Sequence, residues 1–242
     1  MKIYIEEDYN ALSKRAADVI TSFLKENPEA VLGLPTDGTS KKTYEILSEK
    51  CKKREISFKK IKTFNLDEYS GLPAEHPQSF HFAMKKNLFS KVDIDIKNTF
   101  FPDDFKPDYK KYDQEIKNAG GIDLQILGIG RNGHIAFNEP GSEFDSKTRE
   151  ISLTETTIKD NSRFFESMED VPKKAVTMGI DTIMQAKKII LLASGENKSD
   201  AIFGAIEGPV STEVPASIIQ RHKNVIVILD KDSAKKLTKK GL

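Results

Sequence analysis

Ala30-Val31-Leu32-Gly33-Leu34-Pro35-Thr36-Asp37-Gly38-Thr39-Ser40 runs straight into Lys41-Lys42-Thr43-Tyr44-Glu45-Ile46-Leu47. Ala30 to Leu34 is an apolar run of strand length, the next six residues are turn formers, and Thr39 to Cys51 carries Tyr44, Leu47 and Cys51 on one helical stripe. A strand, a glycine-containing turn and an amphipathic helix make one βα unit, and the same pattern recurs on either side. Upstream, Asn10 to Glu26 sets Leu12, Ala16, Val19, Ile20, Phe23 and Leu24 on one face, and Asn27-Pro28 stops that helix. Downstream, strands are expected at Ile61 to Leu66, Ile122 to Leu127, Ile189 to Ala193 and Val225 to Leu229. Helices are expected at His81 to Phe89, Tyr109 to Lys117, Lys198 to Glu207 and Ser233 to Lys239. Strands alternating with helices predict an α/β fold of right-handed crossovers with a mostly parallel sheet.

The chain of 242 residues suits one α/β domain over residues 1–242 and is long enough to bury a sizeable core. Residues 141–176 break the alternation with polar, charged and aromatic residues, as either a mobile lid insert or an exposed connection would. Lysine and arginine number 38 against 37 aspartates and glutamates. That balance is unlike a general nucleic-acid or membrane binder, and leaves room for a local basic pocket for a small anion. Cys51 is the only cysteine, which excludes an intrachain disulfide and a cysteine zinc cluster. Neither a signal-peptide core nor a membrane-length apolar run occurs, so a cytoplasmic protein is expected.

Four predicted strands are followed by residues suited to chemistry, and open parallel sheets bind ligands beyond the carboxyl ends of their strands. The first loop, Gly33 to Ser40, has P-loop-like glycine spacing, but Thr39 stands where a nucleotide-binding lysine belongs. ATP is therefore rejected; what remains is a phosphate site of hydroxyls and main-chain N–H groups at a helix start, or a tight turn capped by Thr39. Asp37 would repel a phosphate unless it turns away. The second loop follows Asn65-Leu66-Asp67-Glu68-Tyr69, where paired acids offer a general base or, in isolation, an ordinary solvated turn. The third is Gly128-Ile129-Gly130-Arg131-Asn132-Gly133-His134-Ile135-Ala136-Phe137-Asn138-Glu139-Pro140-Gly141. Its G-x-G-x-x-G lies mid-chain and Pro140 cuts off any helix, so it reads as a glycine loop presenting His134, with Glu139 near enough to orient the imidazole. The fourth, Ser194-Gly195-Glu196-Asn197-Lys198, brings a lysine that either reaches a bound phosphate or is a plain surface charge. His76, His81, His134 and His222 form no metal-ligand spacing, and no nucleophile elbow is present, so no metal or cofactor is expected.

With these motifs assembled, the chain resembles the glucosamine-6-phosphate deaminases, within the wider group that includes 6-phosphogluconolactonases. The resemblance spans nearly the whole chain and rests on Gly33-Leu34-Pro35-Thr36, Thr63 to Tyr69, Gly133 to Pro140, Asn161-Ser162-Arg163-Phe164-Phe165 and Gly208-Pro209-Val210. It implies a Rossmann-like, doubly wound fold with helices on both faces. It also implies conversion of glucosamine 6-phosphate and water to fructose 6-phosphate and ammonia. By motif, Asp67 would shuttle a proton between C2 and C1, His134 would assist ring opening with Glu139 behind it, and Thr36, Gly38, Thr39, Arg163 and Lys198 would hold the phosphate. A lactonase of the same fold is the nearest rival, and a non-catalytic sugar-phosphate sensor is a rival of another class.

Two departures from the family pattern stand out. Asn132 replaces the aspartate that many relatives carry before Gly-His; an amide can hold His134 by a hydrogen bond but cannot stabilise an imidazolium by charge, which implies a shifted pH profile. Hexameric members respond to N-acetylglucosamine 6-phosphate through basic residues after Asn-Glu-Pro. Here Arg149 is retained, Ile151 takes the second basic position, and the chain stops at Leu242. Weak or absent allostery and a monomeric or low oligomeric state are expected.

Overall fold

The computed structural model describes residues 1–162, 165 and 167–238. Seven strands form one parallel sheet in the order β1-β10-β9-β6-β2-β3-β5. These are β1 (Lys2–Glu6), β2 (Val31–Leu34), β3 (Lys62–Asn65), β5 (Thr99–Phe100), β6 (Leu124–Leu127), β9 (Ile189–Ala193) and β10 (Val225–Asp230). From β2 the chain winds outward through β3 to β5, then returns to the opposite side of β2 and winds outward again through β6, β9 and β10. The reversal places a crevice between the carboxyl ends of β2 and β6, where doubly wound sheets take their ligands.

Each central strand alternates its side chains between two cores. Leu32, Leu34, Ile126, Ile190, Leu192 and Ile228 pack with α1 (Tyr9–Glu26), α2 (Lys41–Lys52) and α3 (Phe80–Asn87). On the other face, Leu127, Ile189, Leu191, Val227 and Leu229 pack with α4 (Lys110–Asn118), α6 (Ile180–Met184) and α7 (Ser199–Ile206). Helices therefore cover both faces, as strands buried on both sides require. Capping explains the sharp start of α1: Asp8 accepts the Ala11 N–H at 2.8 Å.

A second, antiparallel sheet joins β4 (Asp67–Tyr69), β8 (Lys174–Thr177) and β7 (Arg149–Ser152) in the order β4-β8-β7. Two of its strands come from the stretch that interrupts the sequence pattern. Residues 141–176 thus hold β7, the short helix α5 (Glu155–Asn161) and most of β8 as well as connections. In register, Asp67 and Arg149 both stand opposite Thr177, so the three share one row of the small sheet.

The expected helix at Ser233 to Lys239 is not formed. Residues 231–236 are turns, organised by Asp230 accepting the Ser233 N–H at 2.8 Å, and Lys239 lies outside the described residues. β1 is a strand the alternation pattern did not flag, because its partner β10 lies more than two hundred positions away in sequence.

Asp113 ties the two layers together on α4. Its carboxylate accepts the Thr148 N–H at 3.1 Å, the Thr148 hydroxyl at 2.5 Å and the Thr182 hydroxyl at 2.9 Å. Asp113→Ala orphans three buried donors and is expected to lower unfolding stability by roughly 3 kcal/mol. Urea denaturation with an unchanged m-value is the check.

Candidate active site

Four loops meet at the crevice through contacts between the ends of different strands. Asp37, after β2, lies against the Cα of Gly128, after β6; a Cβ on Gly128 would sit 2.1 Å from Oδ2 of Asp37. Asn65 Nδ2, at the end of β3, donates to Thr36 Oγ1 at 3.3 Å. Lys198, after β9, donates from Nζ to the Ile129 carbonyl at 2.7 Å. The Phe137 N–H donates to Thr177 Oγ1 at 3.1 Å, which sets the His134 loop against the row that holds Asp67.

The first loop answers the difficulty posed by Asp37. Its carboxylate turns inward and accepts the N–H groups of Ser40, at 2.7 Å, and Thr39. Asp37 is therefore the side chain that orders the turn leading into α2, whose N-cap is Ser40 and not Thr39. Burial raises its pKa, against the pull of those N–H groups and of the Lys198 charge. Thr36 and Thr39 are partly buried and Gly38 is exposed at the loop tip.

Asp67 lies in β4 and is 8% exposed. Among the described residues its carboxylate takes no hydrogen bond, although buried carboxylates usually have several. Burial, followed by the negative charges of Glu68 and Asp37, pushes its pKa well above the usual carboxylate range. Glu68 points away from Asp67, as successive residues of a strand must. It accepts the N–H of Tyr69 at 2.7 Å and that of His81 at 2.8 Å, on the far side of the strand. Of the paired acids, Asp67 is thus the one with unoccupied oxygens.

His134 is presented by a loop that only glycine permits. Its imidazole packs on the Cα of Gly130, where a Cβ would meet the ring at 2.3 Å, and its C=O accepts the Gly130 N–H at 2.9 Å. The ring Nδ1 lies 3.4 Å from Glu139 Oε1, an ion-pair separation with poor hydrogen-bond alignment. Glu139 is further gripped by the Asn132 side-chain amide at 2.6 Å and the Thr157 hydroxyl at 2.8 Å. Burial alone would raise the Glu139 pKa, but His134, Thr157 and Asn132 outweigh it and bring it down to about 2. Asn132 holds His134 by a hydrogen bond to its main chain, not to its ring. Its Oδ1 accepts the main-chain N–H of His134 at 3.2 Å and its Nδ2 holds Glu139, so the negative charge facing the imidazole is Glu139 itself. Thr157 went unnoticed in the sequence because it lies 18 positions from Glu139 and no local pattern marks it.

The Ser194-Gly195 turn is anchored by Asp230, which accepts the Ser194 hydroxyl at 2.5 Å and the Gly195 N–H at 3.0 Å. Lys198 follows directly and is within electrostatic reach of Asp37. Arg163 lies outside the described residues. One group of three possible metal ligands comes together among the described residues, His81, Asp103 and Asp104, where α3 meets the turn at Pro102–Phe105. His81 Nε2 is already paired with Asp103 there, at 3.2 Å.

A doubly wound sheet with a carboxylate and a histidine–carboxylate pair at its switch point defines a small-molecule α/β protein equipped for proton transfer. The chain belongs to the glucosamine-6-phosphate isomerases/6-phosphogluconolactonase family, whose sequence model matches residues 6–228. It is 50% identical over 241 residues to a glucosamine-6-phosphate deaminase of Clostridium novyi, covering 98% of this chain and 100% of that one. The counterpart from Thermoanaerobacter pseudethanolicus is 49% identical over 238 residues, 97% of this chain and 94% of that one. A solved monomeric glucosamine-6-phosphate deaminase superposes with a TM-score of 0.93 at 42% identity, over 97% of this chain and 99% of its own. The 6-phosphogluconolactonase of Trypanosoma brucei shares the fold at a TM-score of 0.77 and 21% identity, over 98% of both chains.

A buried carboxyl with a raised pKa favours the fold most at acid pH, and that contribution is lost as pH rises through its folded value. Asp67→Asn removes an ionisable group that costs stability when charged. We expect the variant to unfold a few degrees above the wild type at pH 8, with the gap closing near pH 4. Calorimetry across that range is the check.

Proposed function

We propose that this protein is a glucosamine-6-phosphate deaminase, converting glucosamine 6-phosphate and water to fructose 6-phosphate and ammonia by general acid–base catalysis in the cytoplasm. The observation that carries the reading is Asp67, a buried carboxylate with a raised pKa and no hydrogen-bond partner among the described residues, at the same crevice as the His134–Glu139 pair. Identities near one half over almost the full length of deaminases favour this over the lactonases, which share the fold at about one fifth.

The chemistry follows from the residues. Ring opening needs a proton moved from the anomeric hydroxyl to the ring oxygen. His134 is suited to this, since Glu139, held ionised down to about pH 2, faces its Nδ1 and leaves Nε2 for the sugar. In the opened sugar the C2 proton is acidified by the neighbouring C1 carbonyl. Asp67 takes that proton and returns it to C1, through an enolamine, giving a C2 imine that water hydrolyses to ketone and ammonia. A raised pKa suits a carboxylate that must both accept and return a proton near neutral pH. Thr36, Gly38, Thr39, Lys198 and Arg163 are the proposed phosphate ligands. Asn65, donating to Thr36 Oγ1, leaves the Thr36 hydroxyl proton free to point at the anion. Binding energy from the non-reacting phosphate would hold C1 and C2 against Asp67.

The test is release of ammonia and fructose 6-phosphate from glucosamine 6-phosphate, with and without EDTA. Equimolar release unaffected by chelation supports the reading. Tight sugar-phosphate binding without release supports the sensor, and hydrolysis of 6-phosphogluconolactone supports the lactonase. Asp67→Asn is expected to lower turnover by roughly 10²-fold or more with KM little changed, and Lys198→Ala to raise KM first.

We further propose a monomer or low oligomer with little or no activation by N-acetylglucosamine 6-phosphate. Arg149 is engaged by Asn138 Oδ1 at 3.0 Å and the Lys147 carbonyl at 3.3 Å, and Ile151 packs in the apolar cluster around Tyr69. Hyperbolic kinetics insensitive to the acetylated sugar phosphate are expected. Cooperative kinetics relieved by that compound would overturn this.

A further inference from the structure

We propose that Glu68 is a positioning residue for Asp67: it clamps β4 onto the start of α3 and sets a negative charge directly behind the reactive carboxylate. The inference rests on the role given to Asp67 above and explains how that side chain is held with no hydrogen bond of its own among the described residues.

Among the described residues only its main chain aims Asp67, and that main chain belongs to a strand of three residues at the edge of the small sheet. On one side β4 is fixed to β8: Met178 N–H donates to the Leu66 carbonyl at 2.7 Å and Ser70 N–H to the Lys174 carbonyl at 2.9 Å. The Tyr69 N–H faces the other side, and Glu68 Oε1 accepts it at 2.7 Å. Its second oxygen accepts the His81 N–H at 2.8 Å, and the Phe80 N–H is also donated to this carboxylate. Ser79 accepts the Phe82 N–H through its hydroxyl, at 3.0 Å, and the Ala83 N–H through its carbonyl, also at 3.0 Å. Every donor of the first turn of α3 is therefore satisfied, two by Ser79 and two by Glu68. Glu68 itself is fully buried.

The clamp uses a charge, and that charge acts on Asp67. Burial raises the Glu68 pKa to about 7 even though three main-chain N–H groups lower it. Around it stand Asp67 and Tyr69 on its own strand, His81 on α3 and Asp103 on the turn at Pro102–Phe105, with Asp104 3.8 Å from His81 Nε2. Glu150 shares its cross-strand row and is neutralised by Lys174 at 2.9 Å. With Glu68 ionised, Asp67 is held more basic; with Glu68 neutral, Asp67 gives up its proton more readily.

Two substitutions separate clamp from charge. Glu68→Gln removes the charge together with one of the two acceptor oxygens, whereas Ser79→Ala weakens the same helix start and leaves the charge in place. In the ammonia-release assay, Glu68→Gln should lower kcat about tenfold with KM changed less than about threefold. It should also shift the acid limb of the kcat/KM profile to lower pH. Ser79→Ala should cost stability with that limb unmoved. A folded Glu68→Gln enzyme with the wild-type limb, or a Ser79→Ala enzyme with the same displacement, would refute the proposal. Carbon-13 NMR of the Asp67 carboxyl in the wild type gives a readout that needs neither turnover nor a variant that folds. The resonance should titrate in two steps, one of them reporting ionisation of Glu68, and a single independent step would also refute it. A wild type that releases no ammonia yet shows the two-step titration would instead sink the deaminase reading and leave the coupling standing.

Discussion

At the seam between β2 and β6, where the winding of the sheet reverses, two loops approach more closely than side chains ordinarily permit. Gly128 leaves the space that the Asp37 carboxylate fills, and Gly130 leaves the space that the His134 ring fills. A methyl group at either position would meet these side chains at little more than 2 Å. The turn into α2, the height of the first loop and the placement of His134 all depend on that missing volume. Lys198 adds to it by bonding the Ile129 carbonyl from the neighbouring strand end.

Around this seam the structure distributes acidic groups with different environments. Glu139 receives hydrogen bonds from two elements and faces an imidazole, so it stays ionised far below neutrality. Asp67 receives none among the described residues and is raised. Glu68 is hydrogen-bonded but fully buried, and burial raises it to about 7. Carboxyl groups with pKa values pushed apart by environment are how one fold assigns separate tasks to chemically identical side chains. A buried carboxylate without hydrogen bonds among the described residues is poor for stability, which is why Asp67 carries the proposed reading.

Much of this was legible in the order of residues. Strand-length apolar runs, helical stripes and turn formers repeat locally, so five central strands and most helices could be read with boundaries close to those observed. The His134 loop was legible because glycines and Pro140 exclude both a helix and a dinucleotide site. The Glu139–His134 pairing was legible because the two residues share one loop. The helix expected at Ser233 to Lys239 failed for a local reason: the carboxylate of Asp230 bonds Ser233 and bends the chain into turns.

What the sequence determined by itself is the periodicity, and with it the parallel α/β class and the residue types waiting at each strand end. Tertiary structure decided which of those residues face one another. The three-stranded sheet joins positions some eighty and a hundred residues apart, β4 to β7 and β8, and no local pattern announces such pairing. Asp67 and Glu68 are indistinguishable as neighbours in sequence, and only the pleat of β4, with α3 on one side and the crevice on the other, gives one a clamp and the other open oxygens. Likewise Asn132 is an ordinary amide in sequence, and only the fold shows that it grips Glu139 instead of the imidazole. Hydrogen bonds and burial depend on distance in space, and distance in space is set by packing across the whole chain.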